Sequence, residues 1–135
     1  MTFREKSAWV CIAAILLVYG CYAFKLWGAP LRPLDAIGAL VGSTVLMILI
    51  TVAAHIAIAL RTRPEKLDER DQLVALRSAR NAFYVLATGV WAVMYLAIAS
   101  PQPILLAYAA MSAFVLAELV RLASQVVYYR LGAWA

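Results

Sequence analysis

Four uninterrupted apolar runs, at residues 8–27, 34–60, 81–99 and 104–128, decide what this chain can become. Each is long enough to cross a hydrocarbon core of about 30 Å at about 1.5 Å per residue. In lipid every backbone amide and carbonyl must be paired within the protein, which leaves helices for runs of this kind. Hydrophobic residues make up 66% of the chain and charged ones 14%, against roughly 45–50% and 25% in a soluble domain, which argues against a water-soluble fold. The expectation is an all-α polytopic membrane protein: one domain over residues 1–135, folded as an antiparallel four-transmembrane-helix bundle.

The segments between the runs carry helix breakers. In "GAPLRPLD", residues 28–35, Pro30 and Pro33 stop and restart helices, and Asp35 is placed to accept from free amides of the second one. "SPQP", residues 100–103, is a tighter turn without charge. The first run follows Arg4 and Lys6, and its "VYGC" is similar to a lipoprotein cleavage box. Tyr19 fits that box badly and the run is long for a signal, so a retained span is expected. No internal repeat is evident, which leaves a transporter built from two related halves unsupported.

Cys11 and Cys21 lie about 15 Å apart along one helix axis, too far to bridge each other or share a metal, and are expected as buried apolar thiols. Trp9, Trp27, Tyr128, Tyr129 and Trp134 stand near span ends, where aromatic rings anchor at headgroups. Trp91 is mid-span and is expected to pack in the core.

The net charge of +5 is not a nucleic-acid footprint. Such a surface gathers its basic residues on one solvated face, whereas these flank apolar runs, so no direct nucleic-acid contact is expected. Ten of the twelve lysines and arginines fall at the amino end, in 61–80 or near the carboxyl end; Lys25 and Arg32 are the other two. Basic residues stay on the cytoplasmic side. Both termini and the 61–80 connection are therefore expected in the cytoplasm of a bacterial cell, with the chain in its inner membrane. The same bias argues against small channels that insert in both orientations.

The 61–80 stretch, "RTRPEKLDERDQLVALRSAR", holds six basic and four acidic side chains. Its acidic Glu65, Asp68, Glu69 and Asp71 precede its basic Arg77 and Arg80. Carboxylates in a first turn suit the positive end of the helix dipole, and Asp68 has Asp71 three residues on in a weak capping pattern. The third helix should start near Asp68 in water, enter the membrane near Asn81 and run about 30 residues. Leu73, Leu76, Arg77, Arg80 and Tyr84 then share one side. Two readings follow: a headgroup-binding helix end with local ion pairs, or a docking surface for a cytoplasmic partner. Asp68, Glu69, Arg70, Asp71 and Arg77 are the contact candidates.

Counted from the outer ends of their runs, Glu118 lies about 21 Å deep, Tyr84 about 22 Å, Arg121 about 26 Å, and His55 and Arg80 about 28 Å. These five residues, from three helices, form a candidate intramembrane polar cluster. Charge inside a bilayer is costly and usually finds a partner. Glu118 can pair with Arg121 one turn away, or with Arg80 or Tyr84 across helices, giving either a clasp that fixes helix register or a proton or substrate relay. Thr44, Thr51 and His55 form a thin polar line on the second helix. Gly38 and Gly42, in "GALVG", are a small-residue pair suited to close helix packing, inside the bundle or with a second copy of the chain.

No Ser or Cys stands near a His in sequence, no phosphate-binding glycine loop occurs, and no carboxylate pair lies inside a span. No enzymatic activity, metal or cofactor is expected.

"LDERDQLVALRSARNAFYVL" resembles the segment opening the third span in a group of uncharacterised prokaryotic four-span membrane proteins, defined only as a domain of unknown function. There a "DER" stretch, a basic residue eight to ten positions later and an apolar run recur, as Asp68, Glu69, Arg70, Arg77 and Arg80 stand here. Some of those proteins look like membrane partners of helix-turn-helix repressors, so the resemblance implies a sensing or sequestering role and no catalytic residue.

The function expected is that of a small non-enzymatic accessory or regulatory protein, with the 63–80 segment docking a cytoplasmic regulator or lipid headgroups. The alternatives are a small proton-coupled transporter or channel built around Glu118, and a structural subunit of a larger membrane complex. The chain resembles small multidrug exporters in size and span number, but their essential carboxylate lies in a first span that here has none.

Overall fold

Two of the helices open on a proline, whose missing amide is no loss in a first turn and whose fixed φ suits it. In the computed structural model, which describes residues 3–26, 33–61, 69–100 and 102–131, these are α2 (Pro33–Arg61) and α4 (Pro103–Leu131). Asp35 stands in the first turn of α2. The other two helices are α1 (Phe3–Leu26) and α3 (Glu69–Ala99). All four are long and apolar enough to cross a membrane. Arg63, Lys66 and Asp68 lie outside the described residues.

The chain divides into two units, Met1–Lys66 and Leu67–Ala135. In the first, α1 packs against α2. The link 27–32 reaches at most about 25 Å, while a 24-residue helix is about 36 Å long, so α2 must run back antiparallel to α1. α1 buries Ala8, Cys11, Ile15 and Val18, a stripe recurring every three or four residues. On α2, Leu40, Met47 and Thr51 are half-buried and Ser43 is buried. Ser43 Oγ and Thr44 Oγ1 each donate to the Leu40 carbonyl at 2.9 Å, which pairs both hydroxyls inside their own helix.

Much of the rest of α2 is apolar and exposed among the described side chains: Ile37, Val41, Val45, Leu49 and Val52 all face outward. A helix apolar all round, with one stripe packed, suits lipid as its solvent. Cys21 is exposed where Cys11 is buried, and neither forms a disulfide.

In the second unit α3 packs against α4. Ser100 N donates to the Leu96 carbonyl at 2.8 Å, Gln102 N to Ser100 O at 2.7 Å, and Leu106 N to Gln102 O at 3.1 Å. Gln102 thus accepts the first bond of α4 while Pro103 takes its first position. The two helices come close together at Gly89: a Cβ placed there would overlap the Ala113 methyl and stand 3.4 Å from the Ala113 Cα. Such small residues let backbones approach in lipid, where apolar burial gives little drive.

Trp91 is 71% exposed, contrary to the sequence expectation of a core position. A contact made of Gly89 and Ala113 leaves no space for an indole, so the ring faces outward.

Candidate functional site at the polar end of the α3–α4 hairpin

Near its start α3 is tied to the end of α4. Tyr129 OH donates to Asp71 Oδ1 at 3.1 Å. One turn and more beyond, Val74 and Ser78 are fully buried, and Ser78 Oγ donates to the Val74 carbonyl at 2.6 Å. Asn81 then reaches across: its Nδ2 donates to Tyr128 OH at 3.1 Å and to Ser124 Oγ at 3.2 Å. Numbers rise along α3 as they fall along α4, the signature of antiparallel pairing. The sequence alone puts Asn81 at the membrane entry and Tyr128 and Tyr129 near a span end. It does not pair them, although Ser78, Asn81 and Gly89 form a small and polar stripe on α3, opposite Ala113, Ala117, Ser124 and Tyr128 on α4.

Of the docking candidates, Glu69 and Arg70 are exposed in the first turn of α3, Asp71 and Arg77 are half-buried, and Asp68 lies outside the described residues. Arg80 is exposed. Leu73, Leu76 and Tyr84 are exposed on the same side of α3.

Of the intramembrane candidates, Glu118 and Arg121 pair with each other on α4. Arg121 Nε donates to Glu118 Oε2 at 2.9 Å and Nη2 to Oε1, a two-pronged pair with both side chains about a third exposed, at 31% and 38%. Tyr84 lies elsewhere. It stands edge-on to Phe83, with ring centroids 6.1 Å apart, and its carbonyl accepts from Thr88 Oγ1 at 2.9 Å. It also lines a shallow groove of about 400 Å³ with Thr88, Gly89 and Ala92 of α3 and Ala113 and Leu116 of α4. Leu116 and Glu118 are two positions apart, about 200° around the helix, so the groove and the ion pair occupy different flanks of α4. His55 is within α2, and its side chain is not among those described.

Gly38 and Gly42 are exposed on α2, and a Cβ at either would meet nothing within 4 Å. The α1–α2 hairpin does not use them for packing. Among the described residues no three His, Cys, Asp or Glu side chains gather closely enough to hold a metal ion.

No protein-family model, curated protein or solved structure matches this chain.

Proposed function

We propose that the chain is a small, non-enzymatic accessory or regulatory protein of the bacterial inner membrane. In this reading four spans cross as an antiparallel bundle, both termini and the 61–80 connection face the cytoplasm, and the start of α3 docks a soluble partner there. One observation carries it: α3 is 31 residues long, about 46 Å, against a hydrocarbon core of about 30 Å. Some ten residues at its polar start therefore extend beyond the lipid. Glu69, Arg70 and Gln72 are exposed in that projection, and the Tyr129–Asp71 bond holds it against α4. A docking surface on a helix already fixed in place loses little ordering entropy when it binds.

The test places a photo-crosslinking side chain at Gln72 in cells. One cytoplasmic protein is expected in the adduct, and exchanging the charges with Glu69→Lys and Arg70→Glu should abolish it while the chain remains membrane-bound. An adduct indifferent to the exchange, or adducts to lipid alone, overturns the docking role. A proton-coupled flux in liposomes that Glu118→Gln abolishes would establish the transporter instead.

A further inference from the structure

We propose that the flank of the α3–α4 hairpin carrying Tyr84 holds one anionic phospholipid, its phosphate on Arg77 and Arg80 and one acyl chain in the groove from Tyr84 to Ala92. The site presupposes the membrane spans proposed above and is separate from the docking role given to Glu69 and Arg70.

The floor of the groove is made of small residues: Gly89 lies so close to Ala113 that a Cβ on it would overlap the Ala113 methyl, and Tyr84 and Leu116 also line it, one from each helix. From Tyr84 to Ala92 it extends about 12 Å along α3, beginning about 8 Å inside the cytoplasmic edge of a core of about 30 Å and reaching past its middle. Its lining is apolar, as an acyl chain requires.

The charge sits where the headgroup would be. Arg80 is one turn before Tyr84, about 6 Å along the axis, and Arg77 two turns before, about 10 Å. All three fall within about 60° around the helix. By the count along the span, Arg80 lies about 28 Å down a core of about 30 Å, so its guanidinium can extend to the phosphate plane while its stem stays in lipid. Among the described residues Arg80 makes no hydrogen bond or ion pair, and it is exposed. The nearest carboxylates along α3, Asp71 and Glu69, are about 14 and 16 Å from Arg80 and about 9 and 12 Å from Arg77 along the axis, and half-buried Arg77 already has a partner within the chain. Asp71 also accepts from Tyr129. Net positive charge below an apolar slot selects a lipid with a negative headgroup over a zwitterionic one.

The full chain, reconstituted in phosphatidylcholine bilayers with spin-labelled phosphatidylglycerol or spin-labelled phosphatidylcholine, gives the relative association of the two from the motionally restricted fraction. Phosphatidylglycerol should be held at least ten-fold more strongly. Arg77→Gln and Arg80→Gln should each lower that preference about five-fold without changing retention of phosphatidylcholine, and Ala92→Leu, which fills the slot, should lower the restricted fraction of both lipids. Equal retention of the two lipids, or a preference that survives both arginine substitutions, overturns the site. So does disulfide crosslinking of two copies through Ala92→Cys, which would make the groove a protein interface. Release of the chain from membranes by alkaline carbonate would defeat the membrane reading itself, whereas a retained chain without lipid preference defeats this site alone.

Discussion

The side-chain amide of Asn81 on α3 lies 3.1 Å from the phenol oxygen of Tyr128 on α4, and 3.2 Å from Ser124 Oγ one turn away. One amide nitrogen with two hydrogens thus satisfies two acceptors, both on the neighbouring helix. Within a membrane an unmade hydrogen bond has no water to replace it, so there this contact joins the Tyr129–Asp71 bond and the Gly89–Ala113 approach in fixing which turn of α3 faces which turn of α4.

Asn81→Ala should lower stability by about 1 kcal/mol, since interhelical bonds in membranes contribute about 0.6 kcal/mol on average and up to about 1.7. Denaturation of the micelle-bound chain measures this. Tyr128→Phe should cost less, because Ser124 still accepts. The double mutant should show a coupling of about 0.6 kcal/mol; strict additivity would mean that the bond does not form.

Gly89→Ala should cost about 1–3 kcal/mol, the usual penalty for overpacking. The atom it strikes is the Ala113 methyl, which has no rotamer to escape into, so one helix must move. Ala113→Gly in the same chain should restore most of the loss. Rescue absent from the same unfolding assay would show that Gly89 matters for backbone freedom and not for contact with α4.

The Glu118–Arg121 pair makes a sharper statement about mechanism. An isolated charge at a helix centre costs about 2.5–3.5 kcal/mol on insertion scales. Both side chains are about a third exposed, at 31% and 38%, and arginine can extend toward the interface. Glu118→Gln should therefore cost only about 1 kcal/mol, and Arg121→Gln added to it should recover part of that. If Glu118→Gln left stability unchanged yet abolished a proton flux, the carboxylate would be serving transport and not helix register.

Much of the fold was legible because it is written in features with a single physical meaning. Apolar length gives four helices long enough to cross a membrane, Pro33 gives the start of α2, and the acidic turn containing Glu69 and Asp71 gives the start of α3. Which face of each helix packs was harder to read. In a soluble helix hydrophobicity marks the packed face, but here Ile37, Val41 and Trp91 are apolar and exposed, as residues suited to lipid can be. The packed face is marked instead by small and polar residues, Gly89, Ala113, Ser78 and Asn81, whose partners lie on the next helix and depend on its register. For the same reason Cys21 and the Gly38–Gly42 pair, apolar or small in sequence, face outward in the structure. The candidate site was legible as a charged helix start. The bond from Tyr129 to Asp71 that holds it joins residues 58 positions apart, and no local pattern announces it.

Orientation can be tested apart from any partner or ligand. With Cys11 and Cys21 replaced by alanine, Lys66→Cys should react with an impermeant thiol reagent only when the cytoplasmic side is opened. Arg32→Cys should react from the outside of intact spheroplasts. The expectation follows from ten basic residues on one side against two on the other, a bias strong enough to fix insertion. Reversed labelling would put the start of α3, with Glu69, Arg70 and Gln72, outside the cell and remove any cytoplasmic partner. Both sites labelled from one side would mean that α2 does not cross. Reaction at Lys66 from inside and at Arg32 from outside would leave the projecting turn of α3 where a soluble protein can reach it.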